Sequence, residues 1–184
     1  MIKPNILINH SGEPRFGHFD TPITELGVKQ FIYRNLMDKP ARALAKYLHF
    51  KQFQFVSICH PAWQIGIAIA DIRYAASAFC YFFDRSSNRL DEIELVKPFS
   101  LGVNMSHSPI SGTASINAQQ SIAIILKQYN WQLTLDGPLL SGELTLHGDS
   151  DASPLALCTP AGYNGWTYTQ KHNALPVSGT LHYR

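Results

Sequence analysis

Charge is scarce in this chain. Only 15% of its 184 residues are Asp, Glu, Lys or Arg, and the 15 basic and 13 acidic side chains are scattered, for a formal charge of +2. No basic field exists to gather a phosphate backbone, so no nucleic-acid partner is expected. Long apolar runs are missing too. The longest, Trp63 to Ala70, contains Gln64 and falls far short of the roughly 20 residues a membrane-spanning helix needs, so no membrane span is expected. Met1 to Pro14 carries one Lys and is interrupted by Pro4, Asn5, Asn9 and His10. That is not a secretory apolar region, and a cytoplasmic location follows as the expectation. Cysteine is limited to Cys59, Cys80 and Cys158, an odd and widely spaced set that reads as buried thiols rather than disulfides.

The standard chemical motifs are absent as well. There is no G-x-G-x-x-G, no P-loop and no G-x-S-x-G elbow, which disfavours nucleotide-dependent chemistry and leaves no cofactor expected. Eight histidines occur without H-E-x-x-H, H-x-H or a zinc-like pairing with cysteine, so no metal is expected. His147-Gly148-Asp149-Ser150-Asp151 resembles a cation loop but lacks the later Gly and the bidentate Glu of a calcium site, and reads as a solvated turn.

What is present is apolar and alternating. Hydrophobic residues make up 45% of the chain, enough for the core of one domain. Residues 1–50 read as an irregular, partly helical entry segment. Gly12, Pro14, Gly17, Asp20 and Pro22 punctuate it, Thr24 is an acceptable helix N-cap weakened by Gly27, and a short helix is expected from Pro40 through Ala41, Leu44, Ala45 and Leu48. From residue 51 to 184 the period becomes two. Strands are expected at Gln54–His60, Trp63–Arg73, Ala75–Asp84, Asp91–Pro98, Gly112–Asn117, Ser121–Tyr129, Trp131–Asp136, Gly142–His147, Leu155–Cys158 and Val177–Tyr183. Asp84-Arg85-Ser86-Ser87-Asn88 is a polar hairpin loop, and Asp136-Gly137-Pro138 offers a positive φ and a ladder break. About ten short antiparallel strands must close on themselves or stack, because open edges invite aggregation. The expected class is all-β with minor α: an antiparallel lipocalin-like barrel or β-sandwich with one or two short N-terminal helices.

Two strands are apolar on both faces. Ile65, Ile67 and Ile69 share one side and Ala68, Ala70 and Ile72 the other, while Phe79, Tyr81 and Phe83 lie opposite Ala78, Cys80 and Phe82. Such strands are covered on both sides or line a cavity. The small residues Ala68, Ala70, Ala76 and Ala78 leave volume for a bulky neighbour or a ligand, which makes Phe79 and Tyr81 candidate ligand contacts.

Near the C-terminus stands Gly165-Trp166-Thr167-Tyr168-Thr169-Gln170-Lys171, followed by Leu175-Pro176-Val177-Ser178-Gly179. This string resembles the G-W-x-Y-T-x-K, L-P-V-x-G signature of an uncharacterised bacterial family, domain of unknown function 2804 (DUF2804). Phe50 to Phe55, Ile69 to Tyr74 and the aromatic strand ending at Asp84 are similar in order and character. The resemblance implies a distant relation to lipocalin-like carotenoid hydratases and AttH-type proteins with two β-barrel-like domains. Family members usually pair Lys with Trp where this chain has Phe50 to Phe55, and they run beyond the signature. The resemblance therefore implies a fragment, or a protein reduced to a first half.

Within the string, Trp166 and Tyr168 share a face at strand spacing and Thr167, Thr169 and Lys171 share the other. Trp166 plugs a barrel floor or touches a ligand; Lys171 meets a headgroup at the mouth or pairs with a carboxylate at the rim. Asp71 and Arg73 continue the register of Ile65, Ile67 and Ile69, where an ionised group is costly unless paired with its neighbour or with Lys171. The functional alternative makes Asp71 a proton donor beside Tyr74, with His60 and Lys171 as further proton carriers. Three readings stand open: a module binding a lipid, isoprenoid or other apolar small molecule; a cofactor-free hydratase, isomerase or cyclase using acid catalysis; and a structural half that docks a second β domain, or another copy as a homodimer, through the C-terminal edge strand near Tyr183.

Overall fold

A computed structural model describes residues 5–117, 121–127, 129–149 and 154–184. In chain order its elements are β1 (Gly17–Phe19), α1 (Ala43–His49), β2 (Gln52–Cys59), β3 (Trp63–Asp71), β4 (Ala75–Asp84), β5 (Arg89–Pro98), β6 (Val103–Met105), β7 (Gly112–Asn117), β8 (Ser121–Lys127), β9 (Asn130–Asp136), β10 (Leu140–His147), β11 (Leu155–Ala161), β12 (Gly165–Lys171) and β13 (Val177–Tyr183). The chain is all-β and antiparallel. Its strands form a four-stranded sheet in the order β2-β3-β4-β5, a six-stranded sheet β13-β10-β9-β8-β7-β6 and a three-stranded sheet β1-β11-β12. Among the described residues no sheet closes into a barrel.

The period-two pattern explains the packing of the first two sheets. Pairing of Val56 with Ile67 and Ile58 with Ile65 puts these β-branched side chains on one face. They form one core with Ile116, Ile122, Ile124, Leu133, Leu144 and Leu146 from the six-stranded sheet. At one corner the rings of Phe82 and Tyr183 stack 3.9 Å apart, and the Tyr183 hydroxyl donates to the Asp91 carboxylate. The opposite face of the four-stranded sheet points outward. There Phe55 and Phe79 flank Ala68 in the register and cover it, while the Tyr81 ring lies over Gly66, where a Cβ would come within 2.3 Å of its Cε1. The volume left by the small residues on this face is taken up by neighbours on the same sheet.

A second core joins the entry segment to the three-stranded sheet: Leu7, Ile8, Ile23 and Cys158 are buried together, with Phe19, Phe31, Trp166 and Tyr168 packed against them. This core overrides the helix expected from Thr24. Residues 5–8 run alongside 24–26 in extended form, with the Leu7 amide donating to the Glu25 carbonyl (2.9 Å) and the Thr24 amide to the Asn5 carbonyl (2.9 Å). Burying Leu7, Ile8 and Ile23 outweighs a weak helical signal. α1 starts at Ala43 rather than Pro40, because Arg42 is extended (φ −63°, ψ 153°) and takes the N-cap position. Among the described residues it is the one helix, and it buries none of its side chains.

Other local expectations shift for local reasons. β3 ends at Asp71, since Arg73 takes φ 73° in the turn that follows. Cys59 is exposed on the outward side of β2, whereas Cys80 and Cys158 are buried; all three are free thiols. Gly137 is not among the positive-φ residues, and Ser150 and Asp151 of the tract at 147–151 lie outside the described residues, as does Gln128 of the strand expected at 121–129. The Asp84 loop forms as a hairpin: Ser86 donates from its hydroxyl (2.6 Å) and its amide (2.8 Å) to the Asp84 carboxylate, holding that carboxyl at about 2. β1, β6 and β12 form outside the ten strands expected, β12 on the string whose Trp166 and Tyr168 are already at strand spacing.

The molecule exposes 11322 Å², against about 8,900 Å² for a typical folded monomer of its mass. The sheets therefore stand partly open. β13, the edge of the six-stranded sheet, is held against β10 by close backbone approach at Gly179, which has φ 129° and whose Cβ would lie 2.2 Å from the Glu143 carbonyl oxygen. A Gly179→Ala substitution is expected to lower stability by about 1–3 kcal/mol, read as a shift in the urea midpoint without a change in slope.

Candidate functional site

The register of β3 places Asp71 beyond Ile69 on the inward face, where it is 3% exposed. The turn at Arg73 swings its guanidinium back. Nη1 donates to Asp71 Oδ2 at 2.9 Å, the Arg73 amide donates to Oδ1 at 2.9 Å, and the Ser100 hydroxyl donates to Oδ1 at 2.8 Å. Arg73 Nε donates to the Phe50 carbonyl at 3.2 Å, and the guanidinium lies 5.0 Å over the Tyr47 ring and 5.1 Å over the Phe50 ring. A buried pair this well supplied with donors and ring faces is tolerated despite its desolvation. It ties β3 to α1 and to the link between β5 and β6.

The C-terminal string is arranged as its spacing requires. Gly165 closes the hairpin from β11, since a Cβ there would sit 2.4 Å from the Ala161 carbonyl oxygen. Trp166, Tyr168 and Gln170 face inward, while Thr167, Thr169 and Lys171 are exposed. Trp166 meets the Phe31 ring edge-on at 6.0 Å and Phe50 at 6.4 Å. The Tyr168 hydroxyl donates to Gln170 Oε1 at 2.7 Å, so the Gln170 amide nitrogen is a donor. It points at the Pro109 carbonyl (3.3 Å) and at His172 Nε2 (2.9 Å). Burial raises the Tyr168 phenol pKa and lowers that of His172, so at neutral pH a phenol donor and a neutral imidazole acceptor terminate this chain. The His172 proton then sits on Nδ1. The imidazole packs edge-on to Trp131 at 4.5 Å.

Between the β2 edge, the inward face of the six-stranded sheet and β12 lies an open cleft of about 2170 Å³. Val56 and Ile58 form one wall, and Ala114, Ile124, Leu126, Leu144 and Leu146 form its floor. Tyr168, Gln170 and His172 approach from the third side. Of the residues singled out from sequence, Trp166, Tyr168, Lys171 and His60 line this cleft. His60 sits on the turn after β2, 5.1 Å from the Trp63 ring, its Nδ1 accepting from the Ala62 amide at 3.2 Å. Asp71 lies outside it in the ion pair. Tyr74 is 55% exposed on the far side of the turn, with Lys51 Nζ 5.8 Å from its ring centre. Phe79 and Tyr81 lie on the outward face of the four-stranded sheet, where Tyr81 accepts a bond from Gln64 at 3.0 Å. Gln170 and His172 were legible as a continuation of the Trp166–Tyr168 period, whereas His107, also in the cleft, carries no sequence signal.

Among the described residues no group of three His, Cys, Asp or Glu side chains is placed to hold a metal ion. His147, in the loop-like tract, has Nε2 2.7 Å from the Ser178 hydroxyl. No helix among the described residues is long and apolar enough to cross a membrane. A family model described as Domain of unknown function (DUF2804) matches residues 1–184. No curated protein and no solved structure matches the chain.

Two outcomes are expected from this geometry. Asp71→Ala leaves the Arg73 guanidinium buried without its carboxylate and should cost about 3–5 kcal/mol; replacing both residues by apolar ones should recover most of that in the same urea titration. His107 and His172 both have pKa values lowered from 6.5, in each case first by burial. Their stabilisation is complete above the unfolded value and lost as pH falls below about 6.5 toward the folded values, because the unfolded chain takes up the protons first. Urea midpoints should therefore fall between pH 7.5 and 5.5, and His172→Gln should flatten that slope.

Proposed function

Because this chain belongs to the DUF2804 family, a domain of unknown function, its role has to come from its own surfaces, and we propose that it is a binding module for an elongated apolar small molecule. The observation that carries this reading is the cleft. At about 2170 Å³ it exceeds the roughly 300–1,000 Å³ of a compact ligand pocket, and its floor is aliphatic while a few polar groups converge from one side. An aliphatic guest would gain about 25 cal/mol for each Å² it takes out of water, and because most floor side chains are already buried that area comes chiefly from partly buried lining residues such as Leu126, Leu175 and Leu181. The Tyr168–Gln170–His172 chain offers fixed polarity at the side wall, which orients a guest rather than supplying most of its affinity.

The acid-catalysis reading has less to work with. Among the described residues that line the cleft there is no aspartate or glutamate, and the Asp71 oxygens are directed at Arg73 and Ser100. A hydratase or cyclase would need its proton from an imidazole, a phenol or an ammonium. Burial keeps Tyr168 a weak acid and His172 neutral, so neither is set up as a proton donor at neutral pH.

Titration with the neutral dye N-phenyl-1-naphthylamine should give saturable, one-to-one fluorescence enhancement that dodecanol reverses. Gln54 faces inward from the β2 edge and lines the cleft, so Gln54→Trp should weaken the dye by about tenfold or more with an unchanged circular dichroism spectrum. Linear, unsaturable uptake that is identical in wild type and variant would mean surface partitioning and would overturn the reading.

A further inference from the structure

We infer that the guest of the cleft is an anionic amphiphile, its acid head at the α1 end and its alkyl tail lying across β8, β9 and β10. The inference rests on the cleft being a binding site and names the class of ligand it takes. Its first support is the sign of the lining. The chain carries 13 acidic side chains against 15 basic ones, yet Arg34, Lys46, Lys51 and Lys171 line the cleft and, among the described residues, no Asp or Glu does. Sorting of that kind in a partly desolvated groove favours an anion well beyond what the same charges would do in open water.

The second support is where the charges sit. Arg34, Lys46 and Lys51 all come from the segment around α1, the end at which His107 also lies. Arg34 is partly neutralised, with Nη1 3.7 Å from the Asp38 carboxylate, and Lys46 is held by the carbonyls of Lys29 (3.0 Å) and Phe31 (2.5 Å). Lys51 is different: among the described residues no carboxylate pairs with it, and its ammonium leans toward Tyr74, 5.8 Å from the ring centre and outside the lining, so it meets a head group by swinging inward from the rim. The His107 ring packs edge-on to Phe50 at 5.1 Å. Burial first, and then the positive charges of Arg73 and Lys29, hold the His107 pKa down against the opposing charge of Asp71.

The tail follows from sheet order. His107 lies just past β6, the edge strand next to β7, and the floor then runs from Ala114 of β7 through Ile124 and Leu126 of β8 and Trp131 of β9 to Leu144 and Leu146 of β10. From β7 to β10 is three strand spacings, roughly 14 Å or the extended length of roughly a dozen methylenes.

Competition against N-phenyl-1-naphthylamine tests this with four amphiphiles kept below micelle formation: dodecanoate, dodecyl phosphate, dodecanol and dodecyltrimethylammonium. Either anion should displace the dye at a concentration at least about tenfold lower than dodecanol, with the cation weakest, and the order of the two anions identifies the head as carboxylate or phosphate. Lys51→Met, at an exposed position, should erode that preference while leaving dodecanol unchanged. In an NMR titration the His107 imidazole pKa should rise when dodecanoate binds. Equal potency of dodecanol and both anions, or equal weakening of all guests by Lys51→Met, would overturn the anionic head and leave the cleft as a neutral apolar site. If dodecanol also fails to displace the dye, the cleft reading falls and this inference with it.

Discussion

The buried pair of Asp71 and Arg73 is the constraint around which the rest of the molecule is arranged. An aspartate at the inward end of β3 would be intolerable without a cation, and the nearest one comes from two residues further along the same chain. Reaching it requires the chain to turn back at Arg73 with positive φ, which ends β3 and sets the start of β4. The same guanidinium then holds the carbonyl of Phe50 and the rings of Phe50 and Tyr47. That is how a seven-residue helix with no buried side chain keeps a defined place beside the sheets. Ser100 adds the link after β5 to the same carboxylate, so the end of β3, the turn after it, the α1 region and the link after β5 meet at one ion pair.

From that anchor the asymmetry of the fold follows. One corner of the two large sheets is closed by Phe82, Asp91 and Tyr183, while the β2 side remains open and is bordered by β12 rather than by another strand of either sheet. The C-terminal signature serves this border. Gly165 makes its turn, Trp166 and Tyr168 seat it on the second core, and Gly179 allows β13 to approach β10. The signature residues that the sequence makes conspicuous thus have structural tasks, and the polar chain through Gln170 and His172 is where that structure meets the cleft.

Much of the β architecture was legible because alternation is a local property. The strands around Ile65 to Ile69, Phe79 to Phe83 and Trp131 to Leu135 announce themselves by period two and β-branched or aromatic content. The paired state of Asp71 was also legible, since a charge in an apolar register has few alternatives. The entry segment was less so: Leu7, Ile8 and Ile23 are spaced irregularly, and their extended course depends on a core completed by Cys158 and Trp166 far along the chain. Candidate ligand contacts divided in the same way. Trp166 and Tyr168 stand at the cleft, whereas Phe79 and Tyr81, equally aromatic in sequence, stand on the outward face. Period two tells which residues share a face and cannot tell which face meets a second sheet.

The amino-acid sequence by itself determined that this is an antiparallel β protein of low charge, where its principal strands run, and that Asp71 needs a cation, because each of these depends on neighbours a few residues apart. Only the tertiary structure decided that the sheets remain an open sandwich rather than a barrel, and that cations from around α1 and from β12 gather on one cleft beside His107 while, among the described residues, no carboxylate lines it. Closure and charge sorting arise from contacts between segments tens of residues apart, and no local pattern encodes which of those segments will meet.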